Sequence, residues 1–337
     1  MTQFLIAALV AAVAIYFLVT TSKLTTATKE NFFAGLRKYF AKHAWGNTVL
    51  SDLLVELEAT SGRDLTEWTK TWLQTSGVNT FRPELKIDGN KYSEIAIIQE
   101  APLVPAGSKE IRPHRMAVGL YDVNNGKLER RKSVELDVTS SKTLVKELSG
   151  EEIADLLLLN DHDLTYGKIR FDERSIATLK AHLGNLSDSL TRALCWSAAW
   201  DMHRDGELSA TDYTEIVLNA LGNENEASVI SAQLANLETS VEIYSSLKNR
   251  EKLRARRSSG LYNLATLAKP GSDEQLALVK GFAAGASSTD VPKIKEILEG
   301  KIPGLSVDTE MRWSLIKALT EHGIFGQIEI DAELHRD

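Results

Sequence analysis

The spacing of apolar residues changes twice along the chain, and this constrains the fold more than any other feature of the sequence. Up to Ser76, apolar side chains recur every three or four positions, as on one face of a helix. From about Leu85 they alternate, as in a strand with one face in a core, and after Phe171 the helical spacing returns. The sequence therefore predicts an α+β multidomain protein: a short helical segment, a small antiparallel β-sandwich, and an α-helical domain of HEAT-like, α-α superhelical type.

Three short helices are expected in the first block. The first two carry apolar side chains at helical spacing. These are Phe32, Phe33, Leu36, Tyr39 and Phe40, and then, after the breaker pair Gly46-Asn47, Leu50, Leu53, Leu54 and Leu57. Asp64 and Glu67 have the spacing of a capping box for the third helix, which we expect Gly77 to end. If the rest of a larger domain normally covers these helices, part of their apolar surface should be exposed.

The middle block is expected to contain short strands. They are predicted at residues 92–99, 115–123, 127–138, 156–159 and 168–171. The Asn125-Gly126 step between the second and third strands suits the positive φ angles of a tight hairpin turn.

In the last block, polar residues precede the apolar-periodic runs, as helix N-caps do. The predicted caps are Asp172, Ser209, Asp290 and Asp308. Two buried stripes are expected on these helices. One comprises Leu234, Leu237, Val241 and Tyr244, and the other comprises Leu261, Leu264, Ala265 and Ala268.

The chain begins with an apolar leader, in which residues 4–19 contain neither a charge nor a proline. As a helix this run would span about 24 Å, short of the roughly 30 Å hydrocarbon layer, although residues 20–22 would lengthen it to a marginal crossing. It lacks the basic flank and the clear cleavage site of a signal peptide. A membrane anchor, a cleaved signal, and a misassigned start or gene-fusion scar all stay open.

Composition narrows the choice of partners. The formal net charge is -7 at pH 7, whereas a nucleic-acid-binding domain needs a basic surface, so no nucleic-acid partner is expected. Cys195 is the single cysteine and lies in an apolar stretch, so it is predicted to pack as a small hydrophobe, as in a reducing compartment.

Several longer segments resemble one known family. They are Glu30-Asn31-Phe32-Phe33-Ala34-Gly35-Leu36-Arg37-Lys38-Tyr39-Phe40, Ala44-Trp45-Gly46-Asn47-Thr48, Arg112-Pro113-His114-Arg115, Gly119-Leu120-Tyr121, Leu158-Leu159-Asn160-Asp161, Asp163-Leu164-Thr165-Tyr166, Trp196-Ser197-Ala198-Ala199-Trp200-Asp201-Met202 and Arg204-Asp205-Gly206-Glu207-Leu208. Through them the chain, from Glu30 to Asp337, resembles the C-terminal, non-catalytic portion of the aminopeptidase N family. These are zinc metallopeptidases of the gluzincin type, and the resemblance implies a family activity of removing N-terminal amino acids from peptides.

The family's metal-binding motif is missing from the sequence. Family members hold zinc with a His-Glu-x-x-His helix, because histidines four apart share one helix face and zinc-bound water ionises near pH 7. Here the two closest histidines are His322 and His335, thirteen positions apart, and there is no Gly-x-Met-Glu-Asn segment. We therefore predict no catalytic residue, no metal ligand and no cofactor in this chain, and the resemblance identifies no substrate-binding residue.

The resemblance also suggests a division into domains. Residues 1–29 would be the leader, 30–83 a helical remnant of the catalytic domain, 84–171 the β-sandwich, and 172–337 an incomplete α-helical C-terminal domain.

Compared with the family pattern, the chain looks truncated at both ends, which favours a fragment that is inactive alone. The alternatives are one half of a split aminopeptidase, and a membrane-anchored helical-array binding or scaffold module. Expected partners are a separately encoded catalytic domain or peptides, and the membrane if residues 4–19 are used. The location would be cytoplasmic, as in the family, unless that run anchors the chain.

Three polar clusters contain side chains of the types found in functional sites, and each has a simpler structural interpretation. Asp161-His162-Asp163 offers metal-ligand atoms but is predicted to be a loop satisfied by local hydrogen bonds. The basic run Arg250, Lys252, Arg254, Arg256 and Arg257 is predicted to be a solvated helix face. Asp201, His203, Arg204, Asp205 and Glu207 are predicted to be a helix C-terminus and loop rather than an acid–base group. The six tryptophans are predicted to be core residues.

Overall fold

The computed structural model describes residues 29–106 and 108–336, and the apolar run 4–19 lies outside them. The chain forms two compact units. The first comprises the described residues up to Asp122 together with Glu129–Ile176, and the second comprises Val123–Leu128 and the described residues from Ala177 onward. The fold is mixed α and β with a majority of helix, as predicted. Within the described ranges, no helix is long and apolar enough to cross a membrane.

The described part of the first unit starts with three α-helices, α1 (Lys29–Lys42), α2 (Leu50–Ser61) and α3 (Thr66–Leu73). They enclose a small apolar core that contains Phe32, Tyr39, Leu53, Leu57 and Leu65, with Leu36, Leu54 and Trp68 packed against it.

The ends of these helices depart from the predicted signals. α2 stops at Gly62, whose left-handed conformation (φ 68°) closes the last turn. The capping box predicted for α3 is wrong, because the helix starts one residue later than that motif requires. Leu65 occupies the N-cap position without a side-chain cap, and Asp64 instead accepts a hydrogen bond from the Thr66 amide at 2.8 Å.

The apolar side chains of α1 divide between core and solvent. Phe32 and Tyr39 are buried, whereas Phe33 and Phe40 are 39% and 54% exposed. Trp45, in the loop after α1, is fully exposed, so the prediction that it is a core residue is wrong. Its φ of 64° lies in the left-handed region, which is uncommon for residues other than glycine, and it forms part of the turn after α1. Apolar surface of the predicted kind is therefore exposed on this part of the chain.

Seven strands form two sheets in the described residues. The strands are β1 (Thr80–Asp88), β2 (Lys91–Glu100), β3 (His114–Asn124), β4 (Lys127–Val138), β5 (Lys142–Leu144), β6 (Leu156–Leu159) and β7 (Lys168–Ile169). One sheet has the order β5-β2-β1-β7 and the other has the order β4-β3-β6. At the predicted hairpin, Asn125 and Gly126 adopt φ angles of 50° and 80°, as a tight turn between β3 and β4 requires.

Two features of the sheets differ from the prediction. β1 starts at Thr80 rather than near Leu85, and it tolerates Pro83 because β7 pairs only with Thr80 and Phe81, which leaves the rest of that edge unpaired. The β1–β7 pair is parallel, so an entirely antiparallel arrangement is wrong. Parallel pairing is available here because a long connection through the other strands separates β1 from β7.

Among the described residues after β7, there are nine α-helices. They are α4 (Glu173–His182), α5 (Ser189–Arg204), α6 (Ala210–Ala220), α7 (Ala227–Thr239), α8 (Leu247–Leu267), α9 (Asp273–Ala284), α10 (Val291–Leu298), α11 (Thr309–Glu321) and α12 (Gln327–Arg336).

The predicted N-caps are largely confirmed. Asp172, Ser209 and Asp308 each accept a hydrogen bond from a backbone amide in the first turn of their helix. Asp290 occupies the N-cap position of α10, but its carboxylate instead accepts hydrogen bonds from the amide and hydroxyl of Ser287. The predicted stripe on α7 is interrupted, since a π-helical turn over Ser240–Tyr244 changes the helical phase and leaves Tyr244 46% exposed.

The basic run on α8 is not the solvated face that its composition predicts. Arg256 pairs with Glu215 at 2.8 Å, and Arg254 pairs with Glu242, whose pKa this hydrogen bond lowers. Arg257 is buried, where it pairs with Glu238 and Glu242 and donates to the Gly285 carbonyl at 2.8 Å. The prediction missed these pairs because their carboxylates lie on other helical segments.

We predict that Gly285→Ala destabilises the protein by about 1–3 kcal/mol. An added Cβ would lie 2.2 Å from the Arg257 Nη2 atom, and this guanidinium is held by two carboxylates and a carbonyl. Gly285 has a φ of -115°, so alanine meets no backbone strain. The measurement is urea unfolding, with Gly326→Ala as the matched control because its Cβ would meet no atom closer than 3.9 Å. Equal stability of the two variants would contradict the argument.

Candidate functional site

A small cleft lies in the first unit beside buried polar groups. Its volume is about 260 Å³. It is lined by Trp72, Thr75, Gly77, Val78, Asn79, Arg112 and Tyr166. These residues come from α3, from the segment between α3 and β1, and from the segments before β3 and β7. The cleft therefore lies within one unit and depends on how α3 joins the sheets.

Arg112 is the central group of this cleft and is only 3% exposed. Its guanidinium donates to the carbonyls of Thr71 and Ser76, each at 3.2 Å. It also donates to the Asn79 amide oxygen and to the Thr75 hydroxyl, each at 2.7 Å. Burial lowers the pKa of Arg112, and the field of Glu110 opposes that shift. All four hydrogen-bond acceptors are neutral.

Asn79 and Gln99 hold the backbone around Arg112. The Asn79 side chain donates to the carbonyls of Glu100 and Glu110, at 3.1 and 2.7 Å, while its oxygen accepts from Arg112. The Gln99 side chain donates to the Arg112 carbonyl at 2.7 Å. The guanidinium is therefore fixed from both the helical segment and the ends of β2 and β3.

His114 lies beside this cluster and is buried between aromatic rings. The rings of Trp72 and Phe81 contact it edge to face, at centroid distances of 4.9 and 4.6 Å. Its Nδ1 atom shares a 2.6 Å hydrogen bond with the Thr165 hydroxyl, and no described polar atom bonds to Nε2. Burial lowers the pKa of His114 to about 3, and the Arg112 charge adds to this shift. The imidazole is therefore neutral at physiological pH.

The Asp161-His162-Asp163 segment is a hydrogen-bonded loop, although its contacts reach further than the predicted local ones. The buried Asp161 carboxylate accepts hydrogen bonds from the Tyr121 hydroxyl, from Arg130 at 3.0 Å and from Ser133 at 3.1 Å. Burial raises the pKa of Asp163. Because three donors already occupy the Asp161 oxygens, this segment is poorly suited to a metal ion.

The second predicted cluster lies at the C-terminal end of α5, as expected. His203 is buried, and its Nδ1 donates to the Leu208 carbonyl at 2.9 Å. Its ring stacks on Tyr213 at 5.0 Å, and burial lowers its pKa. Asp205 and Glu207 lie in the turn that follows the helix. His203 therefore closes a helix end, which is the simpler interpretation.

In the part of the chain that the structure describes, no group of three or more His, Cys, Asp or Glu side chains could hold a metal ion. The complete sequence contains no His-Glu-x-x-His motif. No catalytic step through zinc can be derived from these residues.

Comparison with known proteins shows which protein family the chain is related to. Residues 156–337 match the ERAP1-like C-terminal domain family. The chain belongs to the aminopeptidase N family. Over 317 residues it is 45% identical to aminopeptidase N of Streptomyces lividans, a match that covers 92% of this chain and 37% of that protein. It is 25% identical over 305 residues to tricorn protease-interacting factor F2 of Thermoplasma volcanium, covering 87% of this chain and 34% of that protein.

The chain thus corresponds to the C-terminal region of an aminopeptidase N-like protein. It spans about a third of the length of these two relatives. A third relative, aminopeptidase N of Lactococcus lactis subsp. lactis, is 39% identical over 59 residues, which are 18% of this chain and 7% of that protein.

In the sequence, Arg112 and His114 stand out only as part of a segment that resembles the family, and nothing there predicts the cleft at which they lie. The available signal was weak: a cation and an imidazole at the start of an otherwise apolar strand. Their partners Thr75, Asn79 and Thr165 lie far away in sequence, so no local pattern identifies the group.

We predict that His114 makes the protein acid-sensitive. Its folded-state pKa of about 3 lies below the unfolded value near 6.5, so the unfolded chain binds more protons as pH falls below 6.5. The stability that the neutral imidazole provides is present above that pH and is lost progressively towards pH 3. Between pH 8 and pH 5 the free energy of unfolding should fall by about 2 kcal/mol through this group.

Urea unfolding of His114→Gln across this pH range provides the measurement. In His114→Gln the free energy of unfolding should decrease much less between pH 8 and pH 5 than in the wild type. His162→Gln, which replaces a half-buried imidazole in the same unit, should show the same decrease as the wild type. An unchanged pH profile in His114→Gln would show that the buried imidazole does not cause the acid sensitivity.

Proposed function

We propose that this chain is the non-catalytic part of a zinc-dependent aminopeptidase, and that it does not cleave peptides alone. The observation that carries the proposal is a chain of the aminopeptidase N family without a His-Glu-x-x-His motif. Peptide hydrolysis by this family's chemistry needs a metal-bound water that ionises near neutral pH. Without ligands for the metal, the chain has no means of producing that hydroxide.

The partner we propose is a separately encoded, zinc-bearing catalytic domain that covers the exposed face of α1 and the loop after it. This face carries Phe33, Phe40, Trp45, Val49 and Leu50, each at least 39% exposed. The Streptomyces lividans relative supports this occupant, because nearly two thirds of its length has no counterpart in the matched region. Exposed apolar patches of this kind commonly mark protein interfaces.

For the finer architecture, we infer a β-sandwich and a HEAT-like helical array. The two sheets in the first unit, whose facing strands bury Phe81, Ile97, Met116 and Leu120, support a sandwich. Successive helices joined by short loops from α5 to α12 support stacked helix pairs. Such an array would hold a peptide near a catalytic domain without chemistry of its own. We place the assembly in the cytoplasm, as in the family, and recovery of the chain only with membranes would instead favour the anchored alternative.

Activity is the first test. We expect the purified chain with added zinc to show no hydrolysis of an alanine p-nitroanilide reporter above the zinc-buffer blank. The Streptomyces lividans aminopeptidase N provides the positive control. Metal-dependent turnover by the chain that persists after removal of contaminating peptidases would contradict the proposal.

Binding tests the partner separately. We expect the chain to bind the separately produced, unmatched portion of the Streptomyces lividans relative, and Phe40→Asp to weaken binding about tenfold or more, because a charge at an apolar contact must be desolvated. Leu103→Asp is the matched control, since Leu103 is equally apolar, 86% exposed and far from α1 in sequence. Equal binding by both variants would exclude this face as the docking surface, and the activity assay would still test the absence of catalysis independently.

A further inference from the structure

Arg112 differs from three arginines that are also buried, Arg115, Arg192 and Arg257, in the charge of its partners. Arg115 pairs with Glu135 and Asp137, Arg192 pairs with Glu224, and Arg257 pairs with Glu238 and Glu242. Arg112 is buried as deeply as these, yet no carboxylate of the described residues lies within ion-pair distance of it. A buried cation without a counter-charge is costly, so its retention needs a physical reason.

Neutral acceptors and the end of α3 compensate only part of this charge. Thr71 lies in the last turn of α3, so its carbonyl presents the negative end of the helix dipole to the guanidinium. A full helix dipole amounts to about half an elementary charge at each end. Because α3 has only eight residues, its C-terminal end compensates no more than that part of the guanidinium charge. Trp72 adds a cation–π contact at 5.6 Å. Glu110 compensates a further part, since its field acts on Arg112 from beyond ion-pair distance. The remaining part of the positive charge has no counter-charge in direct contact with the guanidinium.

Two aromatic residues also line the cleft, and one of them has a buried hydrogen-bond donor without an acceptor among the described residues. The buried Trp72 Nε1 atom bonds to no described residue. Tyr166 is 72% exposed and presents its ring at the cleft. Among the described residues that line the cleft, Arg112 alone is ionised at neutral pH. The lining thus combines a cation, one unsatisfied donor and two aromatic rings, which is the chemistry that recognises a carboxylate on a small organic body.

We propose that the cleft lined by Arg112, Trp72 and Tyr166 binds the carboxylate of a small organic acid or of a peptide C-terminus. The carboxylate supplies the counter-charge that Arg112 lacks, and Tyr166 packs over the attached group. The volume of about 260 Å³ lies just below the usual range for drug-sized ligands, so the cleft accepts a ligand of one or two residues in size. This inference concerns the first unit alone and does not depend on zinc, on a catalytic partner or on peptidase activity.

The probes are N-acetyl-alanine, which has a free carboxylate, N-acetyl-alaninamide, which does not, and acetate. The readout is the indole N–H signal of Trp72 in a nitrogen-15 spectrum, assigned with Trp72→Phe. N-acetyl-alanine should shift this signal in a saturable way that added salt weakens, and the amide should not. Tighter binding of N-acetyl-alanine than of acetate would identify a peptide C-terminus as the ligand, and equal binding would identify a free small acid.

Two variants separate binding from folding. Val78→Asp places a carboxylate in the lining, where it competes as an internal counter-charge, and should weaken N-acetyl-alanine binding about tenfold or more. Val55→Asp makes the same change on α2, at a residue that is 53% exposed and outside the cleft, and should bind as the wild type does. Tyr166→Ala removes an exposed wall of the cleft without touching the core, and should weaken binding while leaving the melting temperature unchanged.

The proposal would be overturned by any of three results. These are equal shifts with the acid and the amide, no shift with any of the three probes, or unchanged affinity in a folded Val78→Asp variant.

Discussion

The first unit depends on the burial of one guanidinium. Arg112 joins the C-terminal end of α3, through Thr71, Thr75 and Ser76, to Asn79, which in turn holds the backbone at Glu100 and Glu110. Because hydrogen bonds to a buried charge are stronger than neutral ones, this arrangement fixes the helical segment against the sheets more firmly than apolar contact alone would. The same geometry creates a cleft with an unmatched positive charge, so one structural requirement has produced a recognition feature.

Helices and strands followed closely from the sequence wherever the determining interaction was local. The helical and strand periods identified the three blocks, and Asn125-Gly126 identified the hairpin because its φ angles are set within the turn. Predictions were wrong where a distant residue decided the outcome. The sequence predicts Arg257 to be a surface cation, because its partners Glu238 and Glu242 come close only in the folded chain. Likewise, the parallel pairing of β7 depends on the path of the whole sheet. The Arg112 cleft belongs to this second class, since its parts converge from four segments.

Membership of the aminopeptidase N family and the lack of its metal-binding motif together determine the functional account. Buried ionisable groups of this chain act as structural ties: Glu224, whose pKa Arg192 and Trp196 help to lower, joins α5 to the segment after α6, and Asp161 joins β3 and β4 to the loop after β6. Neither group belongs to a set of metal ligands among the described residues. These ties are in keeping with the proposed function, in which this chain has a structural role and a separate catalytic domain supplies the chemistry.

The central claim is that this chain holds no catalytic metal, and its metal stoichiometry tests that claim most directly. The purified full-length chain would be dialysed against a small excess of zinc and then against metal-free buffer, and the retained zinc measured by inductively coupled plasma mass spectrometry. The account predicts far less than one zinc ion per chain and no zinc-dependent change in melting temperature. One tightly retained zinc ion per chain would contradict it.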